Sequence, residues 1–410
     1  MTSIETVQPK RISAWELWPL GLATALSLMG DATLYAVLPT HFADAGIAIG
    51  SVGVILSVNR FIRLFTNGPA GWFFDRLPDR RMLFVGSLTL GVLSTIICAQ
   101  ATGLELLFIA RLLWGLAWSG IWVGGNAIVL QMAPPSQRGQ WVGVYQVWFF
   151  LGSATGSFIG GSLTDAVGYR SALWIGAAIS AAGTIAAALA LSSQHAHNGQ
   201  NGASSSTKWH SSVLPNLRGI SSAIWATATA QAVNRLAAAG IVSATLGLIL
   251  QSNFGTDLRI GAIGIGVASM TGALLAVRTL ISVIGAPMAG TFSDRAKHRW
   301  GWLTISLCIG AIGMGVLPAP NWVALMLGIL ASSLASGGIQ SLTTALIGDL
   351  STPSEHGKNL GLFYTAGDFS SAVGPIVAYA LLPVTGLTSI YMGCAALMLG
   401  TALWSIQFRR

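Results

Sequence analysis

The stretch GWFFDR at residues 71–76 recurs as GTFSDR at residues 290–295, 219 positions further on. Each follows an apolar run that holds a Gly/Pro cluster, NGPAG at 67–71 and GAPMAG at 285–290. A second pair lies beyond: Pro135-Ser136-Gln137-Arg138-Gly139 stands against Pro353-Ser354-Glu355-His356-Gly357, 218 positions apart. At that same spacing Gly143 matches Gly361 and Gly156 matches Gly374. Two matched segments at nearly one offset predict a duplicated chain with parallel halves, an organisation that places binding sites near a bilayer midplane.

The surroundings of these repeats are apolar. Of 410 residues, 53% are hydrophobic and only 8% charged, against roughly 25% charged in soluble domains, which excludes a soluble globular protein. At roughly 20 apolar residues per crossing the chain holds about a dozen helices and no separate catalytic domain. Apolar runs predict twelve, over residues 15–38, 49–71, 82–99, 104–132, 141–163, 172–191, 220–250, 260–290, 302–317, 322–347, 360–382 and 387–404. Between the sixth and seventh lies SSQHAHNGQNGASSSTKWHSSVLPNLR at 192–218, too polar to bury a core. The chain therefore divides into a six-helix bundle at 1–192, a linker at 193–217 and a second bundle at 218–410. The predicted fold is an all-α membrane protein, twelve transmembrane helices in two pseudo-symmetric six-helix bundles.

Basic residues orient it. Lys10, Arg11, Arg76, Arg80, Arg81, Arg138, Lys208, Arg218, Arg295, Lys297, Arg299, Lys358, Arg409 and Arg410 fall on the side of the termini and linker, and only Arg170 and Arg259 fall opposite. By the positive-inside rule both termini are cytoplasmic, and a multi-pass plasma membrane protein, in a bacterium the inner membrane, is expected. The net charge of +8 is thus a topology signal, and no nucleic-acid partner is implied. No short apolar segment with a cleavage site precedes the first run, so that helix is expected to be retained. Cys98, Cys308 and Cys394 lie far apart in apolar runs and suggest neither disulfide nor metal. His195, His197 and His210 read as part of a polar spacer. No Gly-x-x-x-x-Gly-Lys-Ser/Thr string is present, so no nucleotide or other cofactor is expected and the chain is not read as an enzyme.

This arrangement resembles the major facilitator superfamily. The resemblance rests on Gly71, Asp75, Arg76, Arg80 and Arg81 between helices 2 and 3, on Arg111 and Gly115 in helix 4, and on Gly152, Gly156, Gly160 and Gly161 in helix 5. Pro78 and Asp79 depart from the family's glycine and basic residue, and Ser157 stands where the antiporter pattern has proline. Gly374-Pro375 occupies the equivalent place in the second half, and Asp31-Ala32-Thr33 leading to Leu38-Pro39 resembles the helix 1 motif of proton-coupled drug exporters. The resemblance implies alternating access by a functional monomer in the lipid bilayer. It implies gating by the helix 5 glycines, Gly374 and Pro375, by Gly71, Gly290 and Arg138, and by a loop latch of Asp75, Arg76, Asp294 and Arg295. It also implies that helices 3, 6, 9 and 12 face lipid while the other eight surround a cavity.

An ionisable group in hydrocarbon costs at least about 2.5 kcal/mol on insertion scales and is a functional candidate by default. Seven qualify: Asp31, Arg60, Arg63, Arg111, Arg235, Arg278 and Asp368. All fall on the eight inner helices. Low dielectric disfavours a charged carboxylate and a neighbouring guanidinium restores it, so Asp31 and Asp368 are the candidate proton carriers. Five arginines against two aspartates suit a carboxylate or phosphate. Arg111, Trp114, Trp118 and Trp122 recur at three- and four-residue steps and form one helix face, offering stacking beside a cation. Arg60, Arg63, Arg111, Trp114, Trp118, Arg235 and Arg278 are accordingly the expected substrate contacts. The expected function is proton-coupled export of a small organic molecule, anionic or amphipathic, such as a drug or a secreted metabolite of siderophore type. The alternatives are an uptake symporter or exchanger for an organic anion, and a transporter-like sensor that binds without turnover.

Overall fold

A computed structural model describes residues 17–76, 79–134, 137–191, 220–260, 263–352 and 356–408. The linker with its three histidines, the basic residues at both ends, Pro78, Pro135-Ser136 and residues 353–355 lie outside the described residues.

Helices α1 (Trp18–Val37), α2 (Ile49–Arg76), α3 (Arg80–Gln100), α4 (Leu104–Met132), α5 (Arg138–Val167) and α6 (Tyr169–Ala190) form the first half. The second half holds α7 (Ser222–Phe254), α8 (Val267–Ala296), α9 (Arg299–Val316), α10 (Trp322–Leu350) and α11 (His356–Ile406). Eleven helices among the described residues are long and apolar enough to cross a bilayer. The last runs on for 51 residues through Gly386, whose φ of 72° and ψ of 169° are not helical and break it into two arms. Glycine takes such a left-handed φ without a Cβ penalty, so the two predicted runs at 360–382 and 387–404 meet at this residue rather than across a loop.

Two other boundaries differ from the sequence reading. GWFFDR is not a loop but the last turns of α2, which runs on through Pro69; no further proline follows until Pro78, and Arg76 complements the negative end of the helix dipole. Residues 260–266 do not begin α8; Asp257–Ile260 and Ile263–Gly266 pair as an antiparallel hairpin, β1 and β2, in a segment whose isoleucines favour a strand and whose glycines disfavour a helix. Side chains start several helices: Asp79 accepts from Arg81 N–H at 3.0 Å at α3 and Asn321 accepts from Val323 N–H at 2.8 Å at α10.

α1 and α7 are the most enclosed, with 83% and 78% of their apolar windows buried. Both lose regular α-helical bonding at mid-length. α1 loosens at Leu28, whose N–H turns to Ala25 O at 3.2 Å, and α7 passes through a π-helical stretch, Arg235–Val242. The halves pack chiefly through α2 against α11 and α5 against α8. On the side away from the linker, called here the far face, one apolar core runs through both halves, from Leu34, Val37 and Ile55 to Leu246, Tyr379 and Tyr391. Toward the linker face the cores separate by half, Leu17, Phe74, Trp114 and Tyr145 in one and Leu303, Leu307 and Ile339 in the other. The two halves are thus joined at the far face and parted at the linker face.

Candidate functional site

Where the halves part, they enclose a cavity of about 350 Å³ bounded by residues of α1, α2, α4, α5, α7, α8, α10 and α11. Asp31, Arg60, Arg63, Trp114, Trp118, Arg235, Arg278 and Asp368 all line it. Its volume is that of a site for a small organic ligand.

Arg111 stands apart. It is 1% exposed and does not line the cavity; its guanidinium lies 2.6 Å from the Asp31 carboxylate and its Nε donates to Ile55 O at 3.2 Å. Asn59 Nδ2 adds a long contact of 3.5 Å to the same carboxylate. Asp31 is therefore the cavity end of a buried ion pair. Tyr35, one turn further along α1, places its ring 4.8 Å from the Arg60 guanidinium and 6.0 Å from that of Arg111, with its hydroxyl donating to Leu56 O at 2.7 Å. Sequence reasoning missed Tyr35, although it shares the Asp31 face at i+4.

The cationic wall follows from the π stretch of α7. Arg60 Nη1 crosses from the first half to donate to Ala239 O at 2.7 Å and Ser371 O at 2.8 Å. Arg278 donates to Ala238 O and to Ser243 Oγ, the latter at 3.0 Å. A π turn shifts the backbone ladder by one residue, which is why such turns gather at sites where carbonyls meet polar groups. Arg63 and Arg235 each bury an unpartnered Nε. Asp368 lines the same cavity, and no Lys or Arg among the described residues holds it within 4.0 Å. With the Asp31–Arg111 pair neutral, four arginines face one aspartate.

The opposite wall is aromatic. Trp114, Trp118, Trp122 and Tyr145 stack in series with centroids 5.9, 5.8 and 5.7 Å apart, and Phe149 packs on Trp118 and Trp122 at 5.6 and 5.2 Å. The helix 4 stripe thus continues onto α5. Gln146 and Gln340 join the lining, while Asn234 is engaged with Ser336 O at 3.1 Å and Asn126 with Trp122 O at 2.8 Å.

The glycines define the far-face seal. Gly152, Gly156 and Gly160 let α5 lie against Ala25, Ala32 and Thr33 of α1, and a Cβ on Gly161 would run into the carbonyl of Ala268 on α8. A Cβ on Gly53 of α2 would stand 2.6 Å from the Pro375 carbonyl of α11, and Gly374 packs on Gly240 of α7. Asp165 of α5 adds a bond across the halves, accepting from Ser269 N–H at 2.7 Å in the first turn of α8. By contrast, Gly139, Gly143, Gly348 and Gly361 at the linker face meet open space.

The linker-face charges pair within each half. Arg80 lies 3.8 Å from Asp75 and reaches Ala127 O and Gln131 at the end of α4. Arg299 lies 3.0 Å from Asp294 and reaches Ala345 O and Asp349 at the end of α10, the last at 2.5 Å. Arg76 stacks on Trp72 at 4.3 Å, and Arg138 and Arg295 are exposed. From sequence Arg299 was read only as an orienting charge and Asp349 not at all, yet the 219-residue offset that links Gly71 to Gly290 also links Arg80 to Arg299.

Chains of known kind match this one. A family model described as Major Facilitator Superfamily matches residues 20–275 and 227–409. An uncharacterized MFS-type transporter of Mycobacterium tuberculosis is 29% identical over 164 residues, 40% of this chain and 23% of that protein. The Multidrug resistance protein B homolog of the same species is 31% identical over 175 residues, 41% of this chain and 31% of its own. The chain therefore spans about a quarter to a third of these relatives' length. Among solved structures, the nucleoside transporter NupG superposes with a TM-score of 0.75 at 15% identity, covering 96% of this chain and 99% of that one. A bacterial homolog of the human lysosomal transporter Spinster, in an inward-facing and unoccupied conformation, gives 0.73 at 13% identity, over 98% and 96%. These likenesses carry the fold. With the family model spanning most of the sequence, the chain belongs to the Major Facilitator Superfamily and is an integral, multi-pass membrane protein.

Proposed function

We propose that this chain is a proton-coupled exporter of a small organic molecule bearing an acidic group and an aromatic or amphipathic body, working by alternating access. The observation that carries the reading is the cavity itself, with four arginines and an aromatic wall facing each other and two carboxylates at its edge. Arginine suits carboxylate or phosphate, stacked indoles suit a flat apolar body, and a carboxylate whose counterion changes during the cycle can take and release a proton. Export is supported by the helix 5 glycines at the seam with α1 and α8 and by similarity over a quarter of the chain to an MFS-type efflux transporter of Pyricularia grisea. The same reading takes the chain as twelve crossings in two duplicated bundles, split at Gly386 in its last helical run, monomeric, with linker and termini in the cytoplasm of a bacterial inner membrane.

The excess of arginine favours a second reading, uptake symport or exchange of an organic anion. In that reading Arg63 and Arg235 hold the anion and Asp368, on the same cavity wall, carries the proton, so that the two move the same way. Reconstituted vesicles separate the two. With 2-naphthoate and its neutral amide as probes, export antiport gives proton movement opposite to naphthoate flux, lost in Asp31→Asn. Co-directional movement establishes the second reading, and absence of naphthoate flux in either direction rejects the acidic cargo.

A further inference from the structure

Among the described residues, two side chains carry hydrogen bonds from one half to the other, Asp165 at the far face and Arg60 inside the cavity. The two differ in what can reach them. Asp165 lies beyond the seal, whereas Arg60 faces the space that a cargo entering from the linker side would occupy.

Arg60 sits on α2 with Gly53, two turns toward the far face, pressed on the α11 backbone at Pro375. Its Nη1 donates to Ala239 O of α7 and Ser371 O of α11 at 2.7 and 2.8 Å, so a single guanidinium nitrogen spans both second-half helices at the point where the seal ends and the cavity begins. Opening the far face requires α2 to leave α11, and these two bonds must break. Both acceptors are neutral carbonyls. A carboxylate or phosphate adds the attraction of a full opposite charge and can take two of the guanidinium's N–H groups at once. Arg63, one turn away on the same helix, and Arg235 have an unpartnered Nε each and would hold the same anion in place.

We propose that Arg60 is a cargo-operated tie: the acidic group of a bound substrate takes the guanidinium from Ala239 O and Ser371 O, so the far-face seal weakens only when the carrier is loaded. This rests on the acidic-cargo reading, as export or as exchange; an uptake symporter, which must reopen its far face empty, is incompatible with it. It makes Arg60 a residue that converts occupancy into movement, distinct from Arg63 and Arg235, whose part is to hold the anion.

The test uses the full-length protein with Val267→Cys, a buried far-face position at the α5–α8 seam, and a membrane-impermeant maleimide; protein without the added cysteine corrects for the native thiols. Binding of 2-naphthoate is followed separately by quenching of tryptophan fluorescence. Without ligand, Arg60→Gln is expected to raise the labelling rate several-fold and Arg60→Lys less, since an ammonium still donates to a carbonyl. With 2-naphthoate the rate is expected to rise in the parent and not in Arg60→Gln, while 2-naphthamide changes neither. Unchanged labelling in Arg60→Gln without ligand overturns the tie. Quenching by naphthoate with no rise in the parent's labelling overturns its operation by cargo. Failure of naphthoate to quench counts against the acidic-cargo reading and leaves the ligand-free comparison to decide the tie.

Discussion

Arg111 is 1% exposed and meets Asp31 at 2.6 Å, and that geometry sets what substitution of Asp31 does. Removing one partner of a buried ion pair costs about 3–5 kcal/mol, because the other charge is left without compensation. Asp31→Asn is expected to lower the thermal midpoint of the purified protein clearly, and Asp31→Asn combined with Arg111→Gln to recover much of the loss. If the single variant is as stable as the parent, the pair does not carry the charge balance described here. The residue scale is also where sequence was most informative. Asp31, Arg60, Arg63, Arg235, Arg278 and Asp368 were all legible, since a charge in hydrocarbon is too costly to be incidental. Their pairing was not. Whether Arg111 points into the cavity or behind Asp31 depends on helix rotation and on what packs against α4, neither of which is encoded in a three- or four-residue spacing.

Among the elements, α5 and α8 form the seam on which the far face closes. Ser157 O and Gly161 of α5 lie so close to Gly272 and Ala268 O of α8 that neither glycine has room for a Cβ. Gly161→Val is therefore expected to keep the halves apart at this end, raising far-face labelling of Val267→Cys and reducing transport severely, with the variant still inserted in the membrane. Gly143→Ala on the same helix meets open space and is expected to leave both nearly unchanged. Equal effects of the two substitutions would remove the seam's role. Glycines four apart were visible in the sequence, but the partner helix was not, because close packing leaves the same pattern whichever neighbour approaches. The π stretch at Arg235–Val242 and the hairpin at β1 and β2 left no periodic signal, since apolar windows of that length do not separate helix types or short strands.

For the whole molecule, the informative asymmetry is one apolar core joined across the halves at the far face and separate cores at the linker face. The repeats at offsets of 219 and 218 residues lead to the reading of a duplicated chain, yet no repeat records which face is closed, because that depends on contacts between the segments before and after the linker rather than within them. Alternating exposure of the central cavity is tested most directly by paired distance measurements between spin labels. One pair, Gln140→Cys with Thr344→Cys, spans the linker-face opening from α5 to α10; the other, Ser171→Cys with Ser252→Cys, spans the far face from α6 to α7, all four at exposed positions. In lipid nanodiscs, adding 2-naphthoate and changing pH are expected to shift the two distance distributions in opposite senses, the linker-face pair shortening as the far-face pair lengthens. Distributions that stay fixed under every condition, or that lengthen and shorten together, would contradict a cavity opened alternately to the two sides.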